Sequence, residues 1–139
     1  LHLTAQALLF TIAAIGVSET AYLIRTRIRA QRPICPIGEG CETVLNSKYN
    51  RLFFGVHNDL AGMAFYIAFA TLVAFLVIGV GSAATWKTLA GILLVGATVM
   101  SAVFTYLQGR VIRAWCFWCL MSAATILLMD IIVIYSPSL

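Results

Sequence analysis

Charge is what this sequence has least of. Only 10% of its 139 residues are Asp, Glu, Lys or Arg, and only five are acidic, against about 25% charged residues in soluble domains. That shortage excludes an ordinary water-soluble globular chain. Proline is sparse too, and two of the three fall in a single connection, "RTRIRAQRPICPIGEGCETVLNSKYNRLFFGVHND". There is no low-complexity tract, no repeat of solenoid period, no metal or flavin motif and no soluble domain to set apart. No nucleic-acid partner is expected.

What the chain has instead is apolar length. Hydrophobic residues make up 62% of it, and they gather into four stretches, Leu3 to Ile24, Leu60 to Val80, Leu89 to Leu107 and Trp115 to Ile134. Each approaches the roughly 20 residues that carry a helix across about 30 Å of hydrocarbon. The first stretch is too long for a signal-peptide core and has no clean small-residue cleavage site, so it reads as a retained span. The sequence begins at Leu1 rather than Met, which suggests that residues upstream have been removed. The expectation is one all-α integral membrane domain over residues 1–139, a bundle of four transmembrane helices.

Residues 25–59 form the only long connection, too long for a mere turn. Within it, Cys41 to Phe54 has a plausible amphipathic helix, with Val44, Leu45, Tyr49 and Leu52 roughly along one face. Such a segment can lie on the membrane surface as a lid, or be a solvated loop with one helical turn. The other two connections are short: "GVGSAATW" joins the second span to the third, and "GRVIRA" the third to the fourth. An even number of spans puts both chain ends on one face. The long loop and the Arg110 to Arg113 turn share the other, and all four cysteines gather there.

Cys116 and Cys119 begin the fourth span as a C-x-x-C. A helix start has unpaired N–H groups and the positive end of the dipole, which stabilise a thiolate, and the thiolate is the nucleophile of disulfide exchange. Three residues apart in a helix, the two fall on one face and can form a disulfide with little backbone change. Cys35 and Cys41 can form a second. Two pairs on one face suggest a relay: the loop pair exchanges with an outside protein thiol, then with the helix pair. For a pair embedded in a bilayer, a lipid-soluble quinone is the natural acceptor.

Two other readings stand beside it. Structural disulfides would explain Cys35 and Cys41 but not a C-x-x-C in an apolar helix. A four-thiolate metal site needs knuckle-like turns around both pairs, and this spacing matches poorly.

The sequence resembles the vitamin K epoxide reductase family in its bacterial and archaeal form. The likeness rests on "YLQGRVIRAWCFWCL" at the join of the third and fourth spans, on the loop's C-x5-C and "ETVLNSKY" with "FGVHNDLAG" after it, and on "SETAYL" late in the first span. It covers nearly the whole chain. The resemblance implies a four-helix bundle around a quinone pocket capped by the long loop. It implies that Cys119 faces the quinone, Cys116 exchanges with the loop, Cys41 is its partner and Cys35 receives electrons from outside. Asn58 matches the position of a hydrogen-bond donor to the quinone carbonyl. Ser47 and Gly55 match the loop pattern, with structural roles.

Two departures bear on function. Ala123 stands where vertebrate members have a quinone-contacting tyrosine, which argues against epoxide chemistry of the vertebrate kind. The thioredoxin-like domain fused to many bacterial members is not found in these 139 residues, so the thioredoxin-like redox partner is expected to be a separate protein, or a domain cut away from this chain. The disulfide-bond protein B family does similar work, but its quinone-linked pair comes first in the chain, and here the order is reversed.

Ionisable residues within spans are functional by default. Glu19, six residues and roughly 9 Å of helix before Arg25, can line the quinone pocket or assist its protonation, pair with Arg25, or contact a neighbouring helix. Asp130 follows Cys116 by fourteen residues, roughly 21 Å of rise, and belongs near the opposite face. His57 reads as a surface histidine at a helix start or as a proton donor near the quinone. Trp115, Phe117 and Trp118 are candidate walls of the pocket, and interfacial anchors otherwise.

Of the nine basic residues, Arg25, Arg27, Arg29, Arg32, Lys48, Arg51, Arg110 and Arg113 lie on the cysteine face, against Lys87 alone on the other. The positive-inside rule therefore turns the cysteines toward the cytoplasm of a bacterial or archaeal plasma membrane. Bacterial members of the resembled family usually face outward; inverted members occur in some archaea, and hyperthermophiles keep disulfides inside the cell.

Overall fold

The computed structural model describes residues 2–29, 58–113 and 116–136. Among them every element is helical: α1 (His2–Ile28), α2 (Asn58–Ile78), α3 (Ala83–Tyr106) and α4 (Phe117–Tyr135), with a π-helical turn, Leu107–Ile112, continuing α3. No proline falls inside any of these helices. In a bilayer this matters, because each backbone N–H and C=O needs a partner within its own segment.

The four helices are long and apolar enough to cross a membrane, from Leu3–Ile28 to Phe117–Tyr135. Their ends depart from the apolar stretches, and the departures have local causes. α1 runs past Ile24 because Thr26 Oγ1 donates to Leu23 O at 2.9 Å and Arg27 pairs with Asp59 at the start of α2. α3 begins at Ala83 rather than Leu89: small residues and Lys87 lower hydropathy without breaking a helix, and a lysine near the end of a span can extend its head to the interface. The turn before it needs two residues in the left-handed region, Gly79 (φ 84°) and Gly81 (φ 68°), where glycine has no Cβ to clash. Trp86 closes that turn, donating from Nε1 to Val80 O with its ring on Phe75 at 4.9 Å.

α1 packs on α2, α2 on α3, α3 on α4, and α4 returns to α1. The core is built from Leu9, Ala13, Tyr66, Phe69, Leu94 and Met129 with their neighbours. Gly16 lets α1 and α2 approach closely, since a Cβ there would run into the Tyr66 ring. Outward faces stay apolar, as at Ile67, Val95, Val99 and Ile131, which suits lipid rather than water. Asp130, on α4, takes hydrogen bonds from Thr98 Oγ1 of α3 at 2.8 and 3.1 Å.

Candidate functional site

Cys116 is the residue at which α4 begins. It is extended (φ −102°, ψ 118°), and its Sγ accepts the N–H of Cys119 at 3.4 Å, the place a serine or aspartate oxygen takes at other helix starts. Both cysteines are free thiols. Cys116 is fully buried, whereas Cys119 is half-buried and lines a cavity. A hydrogen bond from the Cys119 thiol, helped by the backbone N–H groups of Cys119 and Trp118, holds the Cys116 thiol below its ordinary range against the opposing effect of burial. The C-x-x-C spacing thus makes Cys116 the better thiolate and puts Cys119 against the cavity.

The π-helical turn explains how Cys116 is held. A π turn often marks a functional place in a helix. Here it buries Gln108, whose Oε1 accepts the Cys116 backbone N–H at 2.9 Å. The turn ends at Arg113, a non-glycine in the left-handed region (φ 58°) whose N–H bonds back to Gln108 O. Gln108 lies in the quoted "YLQGR" stretch, but its partner is a backbone group eight residues on, which spacing rules do not reveal.

The cavity has a volume of about 410 Å³ and lies among all four helices. Phe65, Ile126, Met100, Phe104 and Trp118 make most of its wall apolar. Trp118 is fixed by ring contacts, tilted on Tyr22 at 4.7 Å and edge-on to Phe117 at 5.4 Å. Phe117 itself is not among the lining residues. Ala123 does line the cavity and leaves room there that a bulkier side chain would fill.

Polar groups enter this wall at a few points. Asn58 and Asp59, at the start of α2, both line it. Asp59 is an electrostatic neighbour of Cys119 and is buried. It accepts Arg27 Nε at 2.9 Å, Arg27 Nη2 at 3.2 Å and the Leu60 N–H at 2.7 Å. Sequence reasoning passed over Asp59, although an acid at a span start opposite a run of arginines was the available signal. Tyr66 lines the cavity too, and its hydroxyl lies 2.7 Å from Ser122 Oγ. Glu19, on α1, is buried in the same wall: Oε1 accepts from Thr125 Oγ1 at 3.3 Å, so its partner is a neighbouring helix, and Arg25 is exposed.

The fold therefore brings together Cys116, Cys119, Asn58, Glu19 and Trp118 and leaves Asp130 out of the cavity. Cys35, Cys41, His57, Trp115, Ser47, Gly55 and the amphipathic stretch from Cys41 to Phe54 lie outside the described residues. Among the described residues no three His, Cys, Asp or Glu side chains gather into a set that could hold a metal ion.

A search of curated proteins returns no match to this chain. The profile of the vitamin K epoxide reductase family, in contrast, matches residues 7–134, a range that takes in all four helices and both described cysteines. Four apolar helices around a cavity, with a reduced C-x-x-C at its wall, agree with a membrane oxidoreductase of that kind. The chain belongs to the vitamin K epoxide reductase family.

Proposed function

We propose that this protein is a quinone-dependent thiol oxidase that drives disulfide formation in other proteins. The observation that carries the reading is Cys119 standing in the wall of an apolar cavity while its N–H donates to Sγ of a second free cysteine, Cys116. A cavity of this size, lined by aromatic and aliphatic side chains with few polar groups, suits a flat, lipid-soluble ring. Asn58, Phe65 and Trp118 all line the cavity, and in this reading Asn58 donates to one quinone oxygen while the two rings pack on its faces. A bound quinone supplies a two-electron acceptor.

The chain's own residues do the rest. Cys35 and Cys41 exchange with a separate thioredoxin-like protein, whose dithiol becomes a disulfide as theirs is reduced. A thiolate of the loop pair, Cys41 by the family likeness, then attacks the Cys116–Cys119 disulfide at Cys116, and the mixed disulfide resolves to leave Cys116 and Cys119 reduced. Their reoxidation releases two electrons and two protons in all, which balance the reduction of quinone to quinol. Helix-start N–H groups and the Cys119 thiol favour charge on Cys116.

The test is to follow quinone absorbance with purified protein, a reduced thioredoxin-like protein and a soluble ubiquinone or menaquinone analogue. The wild type consumes quinone, and Cys119→Ala does not. Equal rates in the two proteins would remove the assignment.

A further inference from the structure

Among the described residues two carboxyl groups line the cavity, and they differ in what holds them. Asp59 is saturated by three donors. Glu19 is only 8% exposed, and its Oε2 has no hydrogen-bond partner among the described residues. Its other oxygen has a weak one: the Thr125 hydroxyl has a single hydrogen, and Met121 O, at 2.8 Å, is a nearer acceptor than Glu19 Oε1 at 3.3 Å. Buried polar atoms in folded proteins nearly always have partners, so a half-satisfied carboxyl in a cavity wall points to a group that arrives with a ligand.

Its place along the cavity says which group. Cys119, Ser122 and Thr125 recur every three residues on one face of α4. Thr125, and Glu19 with it, lies about 9 Å of helix rise deeper than Cys119. Cys119 and Asn58 mark the shallow end of the cavity, and Glu19 its deep end. A quinone ring has two oxygens on opposite carbons. With one at Asn58, the other points toward the deep end. Of the hydroxyls that line the cavity on α1, α2 and α4, Tyr66 and Ser122 are engaged with each other and Thr20 donates to Gly16 O at 2.9 Å. Glu19 is the wall carboxyl with capacity left over.

We propose that Glu19 gives a proton to the quinone oxygen farther from Cys119. This rests on the thiol oxidase reading. As the Cys116–Cys119 bond forms, two electrons pass to the ring. One thiol proton goes to the near oxygen, and the other leaves to water at the shallow end. Glu19 protonates the far oxygen and takes a proton back from water once the quinol has gone, so the overall change is dithiol plus quinone to disulfide plus quinol.

The test uses the full chain with dithiothreitol as thiol donor and a short-chain ubiquinone analogue, so no protein partner is needed. Glu19→Gln should lower kcat for quinone reduction by at least about tenfold while leaving quinone KM within about twofold, and Glu19→Asp should recover part of the rate. Exchange of the Cys116–Cys119 disulfide with dithiothreitol, measured without quinone, should match the wild type in both variants. The proposal is overturned if Glu19→Gln turns over at the wild-type rate. It is equally overturned if quinone-free exchange collapses along with quinone reduction, because Glu19 would then be holding helices together. A wild type that does not reduce the quinone at all removes the thiol oxidase reading itself, and this inference with it.

Discussion

Cys116 and Cys119 have the same side chain and different surroundings. Cys116 receives hydrogen bonds from Cys119 and from two backbone N–H groups, and Cys119 meets the cavity. A donor that stabilises a thiolate lowers the thiol pKa, so removing it must raise that pKa. In a Cys35→Ser/Cys41→Ser background, Cys119→Ala should therefore shift the Cys116 thiolate absorbance to higher pH than in the same background with Cys119 present. A shift in the opposite direction would show that Cys119 is not the donor. At Gly16 the argument is steric. A methyl there meets the Tyr66 ring, so Gly16→Ala should cost about 1–3 kcal/mol, seen as a lower unfolding midpoint in detergent. The cysteine pair was legible from spacing and apolar context alone, as was Glu19 from its rarity inside a span. Asp59 and Thr125 were not, because a residue whose partner lies on another helix leaves no trace in local pattern.

At the scale of elements, the π-helical turn and the start of α4 act as one unit. Gln108 satisfies the buried N–H of Cys116 and so fixes where α4 begins. Gln108→Leu keeps the bulk and deletes the acceptor. It should destabilise by about 1–3 kcal/mol, the usual effect of orphaning a buried donor, and should slow thiol exchange at Cys116 more than it weakens quinone binding. Comparing melting midpoint, exchange rate and quinone affinity of the variant checks this; a variant unchanged in all three would sever Gln108 from the site. The sequence reading found all four spans because apolar length is a strong signal in membrane helices. It started α3 too late because Lys87 and its small neighbours lower hydropathy while the backbone ladder continues through them. The π turn is a matter of hydrogen-bond register, which apolar periodicity does not report.

For the whole molecule, an all-α bundle of four apolar helices belongs in a membrane, with its cysteine pair at the end where α1 and α3 finish. Arginines concentrate at that end, including Arg25, Arg27, Arg29, Arg110 and Arg113, whereas Lys87 stands alone at the other. The positive-inside rule predicts a cysteine end that faces the cytoplasm. A reporter that is active only outside the cell, fused after Leu139, should then be active, and one that is active only inside should be silent. The reverse pattern would turn the site outward. A membrane redox role was legible at this scale because chemistry and place coincide: paired thiols at a helix start, at a bilayer boundary, beside an apolar hollow. The hollow itself was expected only from the family likeness, since a cavity belongs to four helices together and to none of their sequences separately.

The central claim is that electrons leave the chain through Cys116 and Cys119 into a quinone. It is tested most directly in a single turnover, without air or any thiol donor, using fully reduced Cys35→Ala/Cys41→Ala protein and one equivalent of a short-chain quinone. Disulfide mapping and quinol absorbance are read on the same sample. The account predicts a Cys116–Cys119 disulfide appearing in step with quinol, one for one. A quinone that stays oxidised while both thiols remain free would contradict it.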